Sequence, residues 1–137
     1  MTVFETDRLI VRQWTERDAD VARVFDMLSR WEVARWLGAQ PRALESEAEA
    51  LAAIRRWRSR ASADDLHGIW AIDVRDTGTT AGSVLVVPLP GVDNAPTADI
   101  EVGWHLHPDS WGHGYATEAA RGAVERGFAV LIVPPDR

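Results

Sequence analysis

The stretch Glu101–Val124, EVGWHLHPDSWGHGYATEAARGAV, decides how this chain is read. Within Asp99–His107, Ile100, Val102, Trp104 and Leu106 fall on one face of an extended segment and Glu101, Gly103, His105 and His107 on the other, which predicts a strand. Pro108-Asp109-Ser110 ends the alternation. Trp111-Gly112-His113-Gly114-Tyr115-Ala116 then leads into a helix whose Ala116, Ala119, Ala120, Ala123, Val124 and Phe128 make a stripe of mostly small side chains, suited to close approach to a sheet. A glycine turn at a helix start exposes unpaired backbone N–H groups, and the helix dipole adds positive potential where they converge. Such a nest suits a pyrophosphate, and glycine at 112 and 114 leaves room for phosphate to approach the backbone. Glycines before a helix also serve simply to make a turn, so this spacing alone leaves both readings open. No Gly-Lys-Ser/Thr follows and the preceding strands read as antiparallel, which sets aside P-loop and Rossmann sites.

Upstream, Gly68–Arg75 and Ala81–Leu89 are strand patterns joined by the turn residues Asp76–Thr79, and Pro90–Pro96 is a polar loop before the decisive strand. Thr6–Trp14 reads as a further strand, followed by Thr15 as a helix N-cap and by Val21, Val24, Phe25 and Leu28 at helical spacing to an end near Ser29. A loop or short irregular helix is expected around Val33–Leu37. Ser46 with Glu49 is a capping box for a second helix of about fifteen residues carrying Leu51, Ile54 and Trp57.

At 137 residues the chain can bury a core without disulfides or metal, and 1–137 is expected to form a single domain. The absence of cysteine excludes thiolate nucleophiles and cysteine-ligated metal centres. A net charge of −6 argues against nucleic acid as the main partner, because phosphate-backbone binding rests on clustered positive charge. The start of the chain lacks a leader pattern and no apolar run approaches the ~20 residues of a membrane span, so a cytoplasmic location is expected.

The stretch 101–124 resembles the acetyl-CoA-binding motif of the GCN5-related N-acetyltransferases, the GNAT superfamily, above all the branch holding the ribosomal-protein alanine N-acetyltransferases. That motif reads Gln/Arg-x-x-Gly-x-Gly/Ala, and Trp111, Gly114 and Ala116 occupy its defined places, with tryptophan as a departure at the first. TDRLIVRQWTERDAD resembles the branch's first strand and helix, and Trp70-Ala71-Ile72 with Gly82-Ser83 its hairpin. The resemblance implies an α/β (α+β) acyl-CoA N-acyltransferase fold: a mixed, mostly antiparallel sheet flanked by helices. It implies acetyl-CoA as co-substrate, no metal, and a small-molecule or peptide amine as acceptor, in a monomer or homodimer.

By the same resemblance, backbone N–H groups of Gly112, His113, Gly114, Tyr115 and Ala116 hold the pyrophosphate, Trp111 and Thr117 belong to the same cofactor-binding stretch, and Trp104, His105, Leu106 and His107 pair with the pantetheine arm. A peptide α-amino group titrates near ~7.7–8.0 and needs a base, for which Glu101 on the same strand is the candidate; an ion pair with an arginine is its other reading. Trp31 and Trp36 fall where relatives line the acceptor side. No proton donor for the leaving thiolate stands out, which keeps open a non-catalytic acyl-CoA-binding or partner-binding module. His105, His107, His113 and Asp109 are zinc-ligand types gathered within a short stretch, but two histidines two apart on a strand are common without metal. Relatives continue with further strands, so the C-terminal part of the domain is expected to be missing, with weak acetyl-CoA binding by the chain alone. Phe128–Leu131 is expected to be the last helical turn and not a fifth strand.

Overall fold

The alternating stretches pair into one five-stranded sheet in the computed structural model, which describes residues 1–38, 40–61, 66–90 and 96–132. Strands β1 (Thr2–Glu5), β2 (Leu9–Gln13), β3 (Gly68–Val74), β4 (Thr80–Pro90) and β5 (Pro96–Leu106) lie side by side in chain order, each antiparallel to its neighbour. Helices α1 (Asp18–Leu28), α2 (Trp31–Ala34) and α3 (Glu47–Ala61) lie between β2 and β3 in the chain, and α4 (Tyr115–Ile132) follows β5. Phe128–Leu131 is helical, as expected. The interior of the loop read at Pro90–Pro96 lies outside the described residues. No helix among the described residues is long and apolar enough to cross a membrane.

The pleat sends side chains of opposite parity into two cores. Leu9, Val11, Trp70, Ile72, Val84 and Leu106 pack with Ala119 and Ala123 of α4, and Ile100 and Val102 join them. On the other face Trp14, Val24, Met27, Ile54 and Ala71 pack among β3, α1 and α3. The small-residue stripe of α4 holds only in part, since Val124 and Phe128 at its margin are exposed. Gly122, one residue before the buried Ala123, faces β1 instead: a Cβ there would lie 2.5 Å from the Phe4 ring.

Two local readings are corrected. Thr15 does not cap α1: the N-cap is Arg17 with no side-chain bond, and the Thr15 hydroxyl donates to Asp20 at 2.7 Å. Asp20 is drawn inward because Arg12 on β2 reaches it with two N–H groups, at 2.9 and 3.0 Å, and Asp73 on β3 with Nε at 2.6 Å. Burial opposes both charges, yet the shared hydrogen bonds outweigh it, raising the Arg12 pKa and lowering that of Asp20. The strand expected from Thr6 begins only at Leu9, because Thr6 and Leu9 close a turn through Thr6 N–H to Leu9 C=O at 2.9 Å, leaving Thr2–Glu5 to form the extra strand β1. At α3 the Ser46 hydroxyl accepts the Glu49 N–H at 3.3 Å, while Glu49 accepts from the Glu45 N–H, not from Ser46, so half of the capping box is realised.

Strands β4 and β5 approach closely where Gly82 faces Leu106: a Cβ on Gly82 would fall 2.2 Å from the His105 carbonyl oxygen. Backbone cannot yield as a side chain does, so Gly82→Ala should lose about 2–3 kcal/mol in urea unfolding. Gly78→Ala, at φ +71 with nothing within 4 Å, should lose only the ~1–2 kcal/mol of a left-handed alanine. Equal losses would contradict the close approach.

His105 is buried against Trp57, ring centres 5.9 Å apart, and neither imidazole nitrogen has a partner among the described residues. Burial lowers its pKa from 6.5 to about 4. On acidification the unfolded chain takes up this proton first, so stability declines as pH falls from 6.5 towards 4, while at neutral pH the two unpaired nitrogens already cost stability. His105→Leu should therefore raise stability at pH 7 by about 1 kcal/mol and flatten the decline across that window. Unfolding curves with the same pH slope in both proteins would refute it.

Candidate active site

The head of α4 is fastened at the end of the sheet where β2 and β4 begin and β3 and β5 stop. β5 ends at Leu106, whose carbonyl accepts the Trp111 indole N–H at 3.0 Å, folding the chain back over the strand end. His107 begins the 3-10 turn Pro108–Ser110: its Nδ1 accepts the Asp109 N–H at 3.1 Å and its Nε2 lies 2.8 Å from Asp26 of α1. Arg23 of α1 grips both Asp109 oxygens, at 2.8 and 3.0 Å, and donates through Nε to the Thr80 carbonyl at 2.7 Å. These hydrogen bonds hold the Asp109 carboxyl down at about 2, so it stays ionised throughout the physiological range.

Between this anchor and the helix the chain passes through Gly112 and Gly114 at φ +81 and +79, the left-handed region that glycine alone enters without penalty. A Cβ on Gly112 would meet nothing within 4 Å, so the turn is open there. Glu118 N–H to Gly114 C=O, at 3.1 Å, is the first bond of α4, which leaves the N–H groups of Tyr115, Ala116 and Thr117 without carbonyl partners in the helix. Unpaired amides in an open turn suit an anion.

Arg8, in the link between β1 and β2, reaches this turn and was not singled out by the sequence pattern. Its Nη1 donates to the His113 carbonyl at 2.8 Å and its Nε to Glu118 at 2.7 Å, and its guanidinium lies 5.0 Å from the Tyr115 ring centre. The only signal in the sequence would have been Glu118 itself, a carboxylate one turn into the helix that needs a partner.

Two clefts meet at β5. The first, of about 380 Å³, brings together Trp36, Trp104, His105, Leu106, Trp111, Gly112, Gly114, Tyr115 and Ala116, with Glu32 and Ser110 added at its wall. The second, of about 510 Å³, holds Glu101, Gly103, Arg56, Trp57 and again Trp36, Trp104 and His105. Glu101 is exposed there, and no ion pair among the described residues engages it. The remaining candidates lie outside both clefts. Trp31 is exposed on α2. His107 is committed to Asp26 and Asp109, His113 stacks on Tyr115 with ring centres 5.1 Å apart, and Thr117 lines a separate hollow beside Arg8 and Arg121. Among the described residues no three His, Asp or Glu side chains converge as a metal ion requires.

The family profile described as an acetyltransferase (GNAT) domain matches residues 8–134. The uncharacterized N-acetyltransferase YoaA of Bacillus subtilis is 32% identical over 130 residues, covering 94% of this chain and 68% of that protein. A GNAT-family acetyltransferase of Bacillus anthracis superposes with a TM-score of 0.73 at 18% identity, over 94% of this chain and 68% of its own. A GNAT-family acetyltransferase of Bordetella pertussis gives 0.69 at 19% identity, over 93% and 72%. These likenesses carry the superfamily and not its ribosomal-protein branch. With the strand, glycine turn and helix already in place, the match over 8–134 and the 32% identity place this chain in the GNAT family of acetyltransferases.

Proposed function

We propose that this acetyltransferase takes its acetyl group from acetyl-CoA and transfers it to a primary amine by direct attack while both are bound. The observation that carries the reading is the open turn at Gly112 and Gly114, whose unpaired amides stand at the end of a cleft running along β5. Acetyl-CoA supplies the thioester and an anionic diphosphate. The N–H groups from Gly112 to Thr117 receive the diphosphate, the helix dipole adding to their pull. β5, unpaired on its outer edge among the described strands, offers Trp104–Leu106 to the pantetheine arm as an added strand would, while the His107 N–H is turned inward to the Ala81 carbonyl at 2.8 Å. Its backbone N–H groups can polarise the thioester carbonyl.

On the acceptor side, Glu101 lies in the second cleft beside Trp36, Trp57 and Trp104. A carboxylate among aromatic faces suits an approaching ammonium group, which it attracts and then deprotonates, directly or through water, to free the nucleophilic lone pair. The C–N bond forms as the C–S bond breaks with its electron pair on sulfur; the proton taken by Glu101 leaves to solvent, and the second proton lost by the acylated nitrogen passes to the departing thiolate, giving the amide and free CoA thiol. His105, buried and neutral where the two clefts meet, adds no charge that would oppose the incoming cation.

Calorimetry of the chain with acetyl-CoA tests the cradle: Gly114→Val should weaken binding at least ~10-fold, since it strains a left-handed position and fills the turn. Binding unaffected by that change would place the diphosphate elsewhere. For the chemistry, Glu101→Gln should lower kcat about 100-fold or more and leave the KM for acetyl-CoA unchanged, with the deficit greatest below the pKa of the amine. A rate independent of this substitution across pH would remove Glu101 from the mechanism.

A further inference from the structure

Glycine gives the turn its shape but not its orientation. The His113 carbonyl and the Gly114 N–H belong to one rigid peptide plane and point in opposite directions. The torsion on the Gly114 side of that plane is free at low energy because glycine has no Cβ. Left alone, the plane could turn its carbonyl oxygen into the cradle, where an anion would be repelled.

Arg8 removes that freedom. Its Nη1 takes the His113 carbonyl at 2.8 Å while its Nε takes Glu118 at 2.7 Å, so the two acceptors are held by different nitrogens of one planar fork. Glu118 needs this as well. An unpaired carboxylate in the first turn of α4 would compete for the same helix-start amides and repel a diphosphate. Here it accepts from the Thr6 hydroxyl, from the Arg8 backbone N–H at 2.9 Å and from the Arg8 side chain. Burial opposes its charge, but these bonds outweigh burial and keep its pKa below the ordinary value. Tyr115 completes the arrangement, with the His113 ring stacked at 5.1 Å and the guanidinium at 5.0 Å.

We propose that Arg8 is the positioning residue of the glycine turn: by holding the His113 carbonyl and the Glu118 carboxylate, it fixes the peptide plane that turns the Gly114 N–H towards the diphosphate. The inference rests on reading the turn as the diphosphate site. It also assigns a role to a residue separated from the turn by 105 positions of sequence. Lysine cannot substitute, because its single nitrogen lacks the fork that serves a carbonyl and a carboxylate at once.

The test compares the intact chain with Arg8→Gln and Arg8→Lys by calorimetry, using CoA and, as a ligand lacking the diphosphate, acetyl-pantetheine. Both substitutions should weaken CoA about tenfold or more and change acetyl-pantetheine by less than about twofold, which also shows that the variants are folded. The Gly114 amide proton resonance should move on adding CoA to the wild type and move much less in Arg8→Gln. Wild-type affinity in Arg8→Lys would show that charge alone matters and overturn the positioning role. Equal losses for both ligands would make Arg8 a general stabiliser and overturn it too. A wild-type chain that prefers acetyl-pantetheine to CoA would overturn the diphosphate site itself, and with it the role of Arg8.

Discussion

Amides at the start of a helix have no carbonyl behind them, and at the head of α4 this unmet requirement is the constraint to which the surrounding structure answers. The left-handed Gly112 and Gly114 precede this helix start and line the first cleft. Trp111 ties the turn to the end of β5, Arg23 ties Asp109 to α1 and β4, and Arg8 ties His113 and Glu118 to the β1–β2 link. Four separate parts of the chain thus fix one short segment, as a preorganised anion site demands.

The chain is acidic, with a net charge of −6, although the proposed co-substrate is itself an anion. Local structure resolves the conflict. The carboxylates near the turn are each engaged: Glu118 by Arg8, Asp109 by Arg23 and Asp26 by His107 and Arg30. Positive potential then comes from oriented peptide dipoles, which do not depend on the sum of charges. In the proposed reaction the acidic balance would draw a cationic acceptor towards the other cleft.

Long periodic elements were legible in the sequence because burial imposes their period: the β3–β4 hairpin and the helical face of α1 fall where the pattern put them, and β5 does so with Ile100, Val102 and Leu106 inward, although it begins at Pro96, three residues before the alternation. The glycine turn was legible because φ near +80 selects glycine so strongly. What escaped depends on contacts between distant residues. Thr15 has the chemistry of an N-cap, and only the pull of Arg12 on Asp20 turns its hydroxyl to another use. Four residues, Thr2–Glu5, form a strand because β2 offers an edge, which no local pattern records. His105 belongs by alternation to a polar face, yet α3 brings Trp57 over it and the ring is buried without partners.

The tryptophans are distributed unevenly, and this gives the molecule an optical property. Trp14 and Trp70 lie in the two cores, where an indole emits towards the blue, while Trp36, Trp104 and Trp111 stand 74%, 50% and 48% exposed around the clefts, where water shifts emission to the red. A molecule settling in the first cleft would cover Trp36, Trp104 and Trp111 and leave the core pair in place. The chain therefore carries its own fluorescent gauge of occupancy, with an internal reference, and needs no attached dye.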